Sequence, residues 1–147
     1  MNQYPPAVSR TALPPVPLGR RNSELIKVLI VENDPAVAEM AAIVLAKAGY
    51  DPVRAATGGQ ALITTDTWHP DLVLVDLALP DLRGSEICLQ LRQHTVVPIV
   101  VLADETDPDF IELVMAAGAS DYLLKPFRTG ELLTRIHTRL TGSTDIV

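Results

Sequence analysis

Residues 27–35 read Lys-Val-Leu-Ile-Val-Glu-Asn-Asp-Pro. The first five form a short apolar, β-branched run. That fits a strand buried on both faces, as the strands of a parallel sheet are. Asp34 and Pro35 then supply an N-cap residue and a proline at the first helical position. Val37, Met40, Ala41, Val44 and Leu45 recur at helical spacing, and Gly49 closes the helix.

The alternation repeats down the chain. Residues 52–56 read as a weaker strand with Pro52 at its start. Thr57 and Gln60 have capping-box spacing and open a second helix. Residues 71–76 and 98–102 are strongly apolar strands, with helical pattern over about residues 85–93 between them. Asp107 and Pro108 cap a helix that ends at Gly118. Residues 121–124 are a fifth strand, and Leu132, Leu133, Ile136 and Leu140 mark a last amphipathic helix. Five strand–helix units predict an α/β fold, a doubly wound parallel sheet with helices on both faces. Ligands of such sheets sit beyond the carboxyl ends of the strands. The informative residues are therefore Glu32, Asn33, Asp34, Asp76, Ala103, Asp104 and Lys125.

Composition sets the outer bounds. The chain has 147 residues, a length suited to one domain. Its single cysteine, Cys88, excludes an internal disulfide and a multi-thiolate metal site, and reads as a small buried apolar group. No apolar run approaches the ~20 residues of a membrane helix, and no secretion signal opens the chain. We expect a soluble, cytoplasmic domain. Residues 1–24 hold five of the twelve prolines and carry a net charge of +2, whereas residues 25–140 carry −7. The acidic balance argues against direct contact with nucleic acid. The first segment reads as a Pro-rich disordered tail, although residues 14–17 (Pro-Pro-Val-Pro) also suit a polyproline ligand. Residues 25–140 are the folded domain, and residues 141–147 a flexible C-terminal tail.

The strand-end residues suggest a chemistry. A carboxylate among acidic neighbours suits a hard divalent cation such as Mg²⁺. A nearby ammonium neutralises an incoming phosphoryl oxygen. A carboxylate nucleophile taking a phosphoryl group fits this set. Each residue also has a plainer role: Asp34 as a helix cap, Lys125 as partner of a surface acid. A haloacid-dehalogenase-like phosphatase needs a second aspartate where this chain has Ala78. Gly58-Gly59 is too little for a dinucleotide site. His69, His94 and His137 are scattered, and Trp68 sits at a helix end. The residues do not favour an enzyme.

Residues 28–35 and 72–81, Gly84, residues 117–122 (Ala-Gly-Ala-Ser-Asp-Tyr) and Lys125-Pro126-Phe127 resemble the receiver domain of two-component response regulators. The resemblance covers about residues 26–140. It implies a flavodoxin-like fold of five strand–helix units in sheet order 2-1-3-4-5. It implies Asp76 as phosphoacceptor and Lys125 as the ammonium on its phosphoryl group. Mg²⁺ would be held by Glu32, Asn33, Asp76 and the Ala78 carbonyl. Tyr122 would be the switch aromatic, and a histidine kinase or phosphotransfer protein the partner. Asp121, Glu131 and Arg135 fall where one receiver subgroup forms a homodimer through its fourth helix, fifth strand and fifth helix. A solvated charged face is the alternative reading of those three.

Two residues depart from the family pattern. Asn33 stands where an aspartate normally binds the metal, which weakens binding. Asp34 could lend its carboxylate only by giving up the helix cap. Ala103 stands where a Ser or Thr hydroxyl normally bonds the phosphoryl group, so switch coupling should be atypical. Two functions stay open: a phosphorylated receiver with altered coupling, and a phosphate-independent pseudo-receiver that binds protein. Little chain follows residue 140, so it is either a stand-alone receiver or a fragment of a longer regulator.

Overall fold

The computed structural model describes residues 25–104 and 107–142. Most of both expected tails, residues 1–24 and 143–147, lies outside the described residues. Five strands, β1 (Lys27–Val31), β2 (Asp51–Ala55), β3 (Leu72–Asp76), β4 (Ile99–Ala103) and β5 (Asp121–Leu124), alternate with five helices. These are α1 (Pro35–Lys47), α2 (Gly58–Trp68), α3 (Gly84–Arg92), α4 (Pro108–Ala116) and α5 (Thr129–Thr141). All strand pairs are parallel, in the order β2-β1-β3-β4-β5. This is the flavodoxin-like arrangement expected from the sequence.

Alternate strand residues feed two cores. Leu29, Val31, Val73, Val75 and Val101 face α2, α3 and α4, where Ile87, Cys88 and Val114 meet them. Val28, Ile30, Leu74, Val100 and Leu102 face α1 and α5, where Leu45, Leu132 and Ile136 meet them. β1, β3 and β4 are buried on both sides, which explains their unbroken apolar runs. Pro52 is tolerated because β2 is an edge strand.

Several boundaries shift. β2 starts at Asp51 rather than Pro52, and β4 runs from Ile99 to Ala103, so Ala103 is a strand residue. α3 begins one residue earlier than expected, and α4 stops at Ala116. α5 includes Thr141 and is closed by Gly142 at φ 71°, so the helix runs past the expected end of the domain. The capping box at α2 is only half made. Thr57 Oγ1 accepts from the Gln60 N–H at 3.1 Å, but Gln60 Oε1 takes the N–H of Ala56 at 2.8 Å, one residue earlier. Asp34 caps α1 as expected, accepting from the N–H groups of Ala36 and Val37.

Candidate functional site

The carboxyl ends of β1, β3, β4 and β5 converge on one acidic pocket. Asp76 closes β3 and is only 4% exposed. Its Oδ1 accepts the Ala78 N–H at 2.9 Å, and its Oδ2 accepts the Lys125 ammonium. Lys125 follows β5 and is held by its own N–H on the Ala103 carbonyl at 2.9 Å. The peptide joining it to Pro126 is cis. Glu32, after β1, is 6% exposed. Its Oε2 accepts the Asp34 N–H at 3.1 Å, while Oε1 is buried and takes no donor from the described residues.

The electrostatics follow from this packing. Burial, then the adjoining Asp76 carboxylate, pushes Glu32 up to about 7. Burial also opposes charge on Asp76, but the adjoining Glu32 carboxyl group and the bonds from Lys125 and the Ala78 N–H outweigh it and hold Asp76 below the usual carboxylate range. Burial pulls the Lys125 ammonium down. Asp76, with help from Asp104 and Glu32, more than offsets that and keeps it above its ordinary value. The pair is thus charged, with a neighbouring carboxyl group poised to lose its proton.

Whether Mg²⁺ fits can be judged from the donors. Among the described residues, no cluster of three or more His, Cys, Asp or Glu is arranged to hold a metal. Mg²⁺ does not need one: it keeps several waters and is commonly bound through one or two carboxylates. Glu32 and Asp76 supply those two, and the donor-free Glu32 Oε1 is the atom a hard cation would satisfy. The residues fit the ion. Asn33 is exposed, and its Nδ2 donates to the Ala56 carbonyl at 3.2 Å.

Not every expected residue joins the pocket. Ala103 does: it is 4% exposed and shares a cavity of about 220 Å³ with Asp76, Ala78 and Phe110. Asp104 is exposed beside it. Tyr122 lies on β5 and packs half-buried against the core under α3 and α4. Asp121, Glu131 and Arg135 form a separate group. Asp121 bonds Arg135 at 2.9 Å and Arg139 at 3.3 Å within the chain, and Glu131 Oε1 accepts the Arg128 N–H. His94 pairs with Asp66 on the surface.

Two contributors escaped the sequence reading. Arg54, on the edge strand, donates from Nε to the Glu32 carbonyl at 2.9 Å and from Nη2 to the Asn33 carbonyl at 2.7 Å. It pins the loop that carries both. Asp81 accepts from the N–H groups of Gly58 and Gly59, both at 2.9 Å, and ties the β3–α3 loop to the start of α2. Leu82 packs so closely on Gly58 that a Cβ there would clash. An arginine alternating with Pro52 on an edge strand was the only sequence signal for the first. Asp81 and the Gly58-Gly59 pair lie over twenty residues apart, so the second had none.

Residues 28–137 match the response regulator receiver domain. The chain belongs to that family. It is a two-component signalling receiver, and receivers of this kind are signalling modules that exchange phosphoryl groups with histidine kinases or phosphotransfer proteins. A curated relative, the DNA-binding response regulator MtrA of Mycolicibacterium smegmatis, is 42% identical over 119 residues, which is 81% of this chain and 52% of that protein. The chain therefore spans about half the length of the curated relatives it matches. A response regulator from Chloroflexus aurantiacus superposes with a TM-score of 0.74 at 38% identity, covering 80% of this chain and 98% of that one. The receiver domain of the sensor histidine kinase PA1611 from Pseudomonas aeruginosa superposes at 0.70 with 32% identity, covering 80% and 98%. That structure has a magnesium ion in its active-site cleft. Among the described residues, no helix is long and apolar enough to cross a membrane.

Proposed function

We infer that this receiver accepts a phosphoryl group on Asp76, from a histidine kinase or phosphotransfer protein, with weakened metal binding and altered switch coupling. The observation that carries this is the buried Asp76 carboxylate, held ionised by Lys125 and the Ala78 N–H. A carboxylate oxygen of Asp76 attacks phosphorus and forms a P–O bond, while the bond to the leaving group breaks and its electron pair departs with that group. The product is an acyl phosphate. The Lys125 ammonium neutralises charge on the transferred oxygens, and the Ala78 N–H fixes the other carboxylate oxygen. Glu32, Asp76, the Ala78 carbonyl and the Asn33 amide oxygen would hold Mg²⁺. When bound, the ion supplies positive charge against the phosphoryl oxygens. Asn33 and Ala103 weaken the two flanks: one removes a negative charge from the metal side, the other a donor from the phosphoryl side.

A second reading, a phosphate-independent pseudo-receiver, is favoured by the negative charge missing at Asn33 and by the bare methyl of Ala103. Intact mass after incubation with Mg²⁺ and a small phosphodonor separates the two. We expect one phosphoryl group on the parent chain and none on Asp76→Ala. No gain on the parent at high Mg²⁺ and donor leaves only the second reading.

A further inference from the structure

We propose that Asp81 is a positioning residue for the metal: through the start of α2 it sets the β3–α3 loop, and with it the Ala78 carbonyl, against the loop that carries Glu32 and Asn33. The proposal rests on the reading above in which Ala78 and Asn33 help to hold Mg²⁺. Those donors come from two separate loops, residues 32–34 after β1 and residues 77–83 after β3. The first loop is tied to the end of β2. Arg54 donates to the Glu32 and Asn33 carbonyls, and Asn33 Nδ2 donates to the Ala56 carbonyl at 3.2 Å. Ala56 gives its own N–H to Gln60 Oε1, in the first turn of α2, at 2.8 Å. That same turn holds the second loop, because the Gly58 and Gly59 N–H groups donate to the two Asp81 oxygens at 2.9 Å each. A bonded arc thus runs from Asn33 through Ala56 and α2 to Asp81, three residues from Ala78.

The last link of the arc is stiff for three reasons. Each Asp81 oxygen has its own amide donor, which fixes the carboxylate in rotation as well as distance. The helix start favours negative charge there, and the two N–H bonds hold the Asp81 carboxyl group below the usual carboxylate range. Leu82 packs directly on the Gly58 backbone, so loop and helix meet without a spacer. The ends of the loop have their own anchors: the Ala78 N–H on Asp76 Oδ1 at 2.9 Å, and the Leu77 side chain against the Gly84 backbone. Asp81 supplies the anchor between them. It is exposed and outside the pocket, so its effect must run through the loop. A backbone carbonyl has no rotamer of its own. The path of its loop is what aims it, and a tie three residues away can therefore tune it as outer partners of metal ligands do.

Calorimetry with Mg²⁺ alone and amide spectra of the metal-free chain test this on the full chain. Neither needs a phosphodonor, so they decide the proposal whether or not Asp76 accepts a phosphoryl group. Groups bonded directly to a metal ligand contribute ~10–100-fold to affinity, and Asp81 acts at one remove, so Asp81→Ala should weaken Mg²⁺ binding about tenfold and Asp81→Asn, which keeps one acceptor, about threefold. Thr57→Ala removes the bond from the Gln60 N–H and weakens the same helix start, but leaves the loop attached, so its affinity should stay within about twofold of the parent. In metal-free Asp81→Asn the Ala78 amide and the Asn33 side-chain amide should shift, while signals of β5 and α5 stay in place and report an intact fold. Unchanged Mg²⁺ affinity in Asp81→Ala, an equal loss in Thr57→Ala (a helix cap only), or no Mg²⁺ binding by the parent would each overturn the proposal.

Discussion

The acidic pocket has two halves wired in different ways. On the Asp76 side the contacts are ionic and directional. Both carboxylate oxygens receive a donor, and Lys125 is itself anchored through its backbone to Ala103. On the Ala103 side the contacts are apolar. Its methyl is buried, and Tyr122 packs against the same cluster. In the proposed function, the first half would take up the phosphoryl group. The second offers no side-chain donor at Ala103 with which to sense one. Uptake and readout would then sit on separate residues, and one could persist while the other is altered. Variants in each half should separate them.

The largest effect belongs to the ionic half. Lys125→Met keeps the stem and removes the charge. Loss of one preorganised donor to a developing oxyanion costs ~10²–10³ in rate. The rate of mass gain with a small phosphodonor should fall by about that factor. A fall of less than about threefold would mean that Lys125 only balances Asp76.

Next comes the apolar half. Ala103→Thr adds a hydroxyl beside a cavity of about 220 Å³ that has room for it. A hydrogen bond to a charged group contributes ~1.5–3 kcal/mol, so the active population of the phosphorylated chain should rise ~10- to 100-fold. Tyr122 resonances report the population. A shift of equal size in parent and variant would show that the parent couples by another route.

Asn33→Asp acts on the metal flank. A unit charge pair at ~4 Å and a dielectric near ~20 interacts by ~4 kcal/mol gross. Asn33 is exposed, so most of this is screened. We expect about tenfold tighter Mg²⁺ binding by calorimetry. Arg54→Ala should loosen the same loop and weaken binding by about threefold, because two carbonyl bonds hold it in place. If Arg54→Ala changed nothing, the loop would be fixed by its other bonds to the end of β2, from the Glu32 N–H to the Ala55 carbonyl and from Asn33 Nδ2 to the Ala56 carbonyl.

The legibility of these parts in the sequence follows their physics. β1, β3 and β4 are buried on both faces, so their apolar runs stood out, and Asp34-Pro35 and Asp107-Pro108 marked helix starts by local chemistry alone. Strand ends then drew attention to Glu32, Asp76 and Lys125, which the fold brings together. Arg54, Asp81 and the Asp121 to Arg139 pair depend on contacts between distant segments, which no local pattern encodes. Asn33 was placed by family position, but its bond to Ala56 depends on where β2 ends. β2 itself was the weakest strand signal, being an edge strand with Pro52 inside it.

The smallest effect, and the most direct probe of the Glu32 proton, is pH. In metal-free chain Glu32 holds its proton to about 7, whereas its ordinary value is 4.5. Between these values the folded state binds more protons than the unfolded state, so Glu32 stabilises the fold at low pH and this contribution is lost as pH rises through about 7. Asp76 has the opposite sign. Its lowered value gives stability that is present above 3.8 and lost as pH falls below it. Denaturant midpoints should therefore drift down from pH 5 to pH 7.5, and Glu32→Gln, which cannot titrate, should flatten the part due to Glu32. The difference between parent and variant removes the histidines from the comparison. Mg²⁺ requires the deprotonated carboxylate, so its binding to the parent should release protons and tighten across the same interval. An identical drift in parent and Glu32→Gln would mean that Glu32 is not the source of the drift and holds no extra proton in the fold.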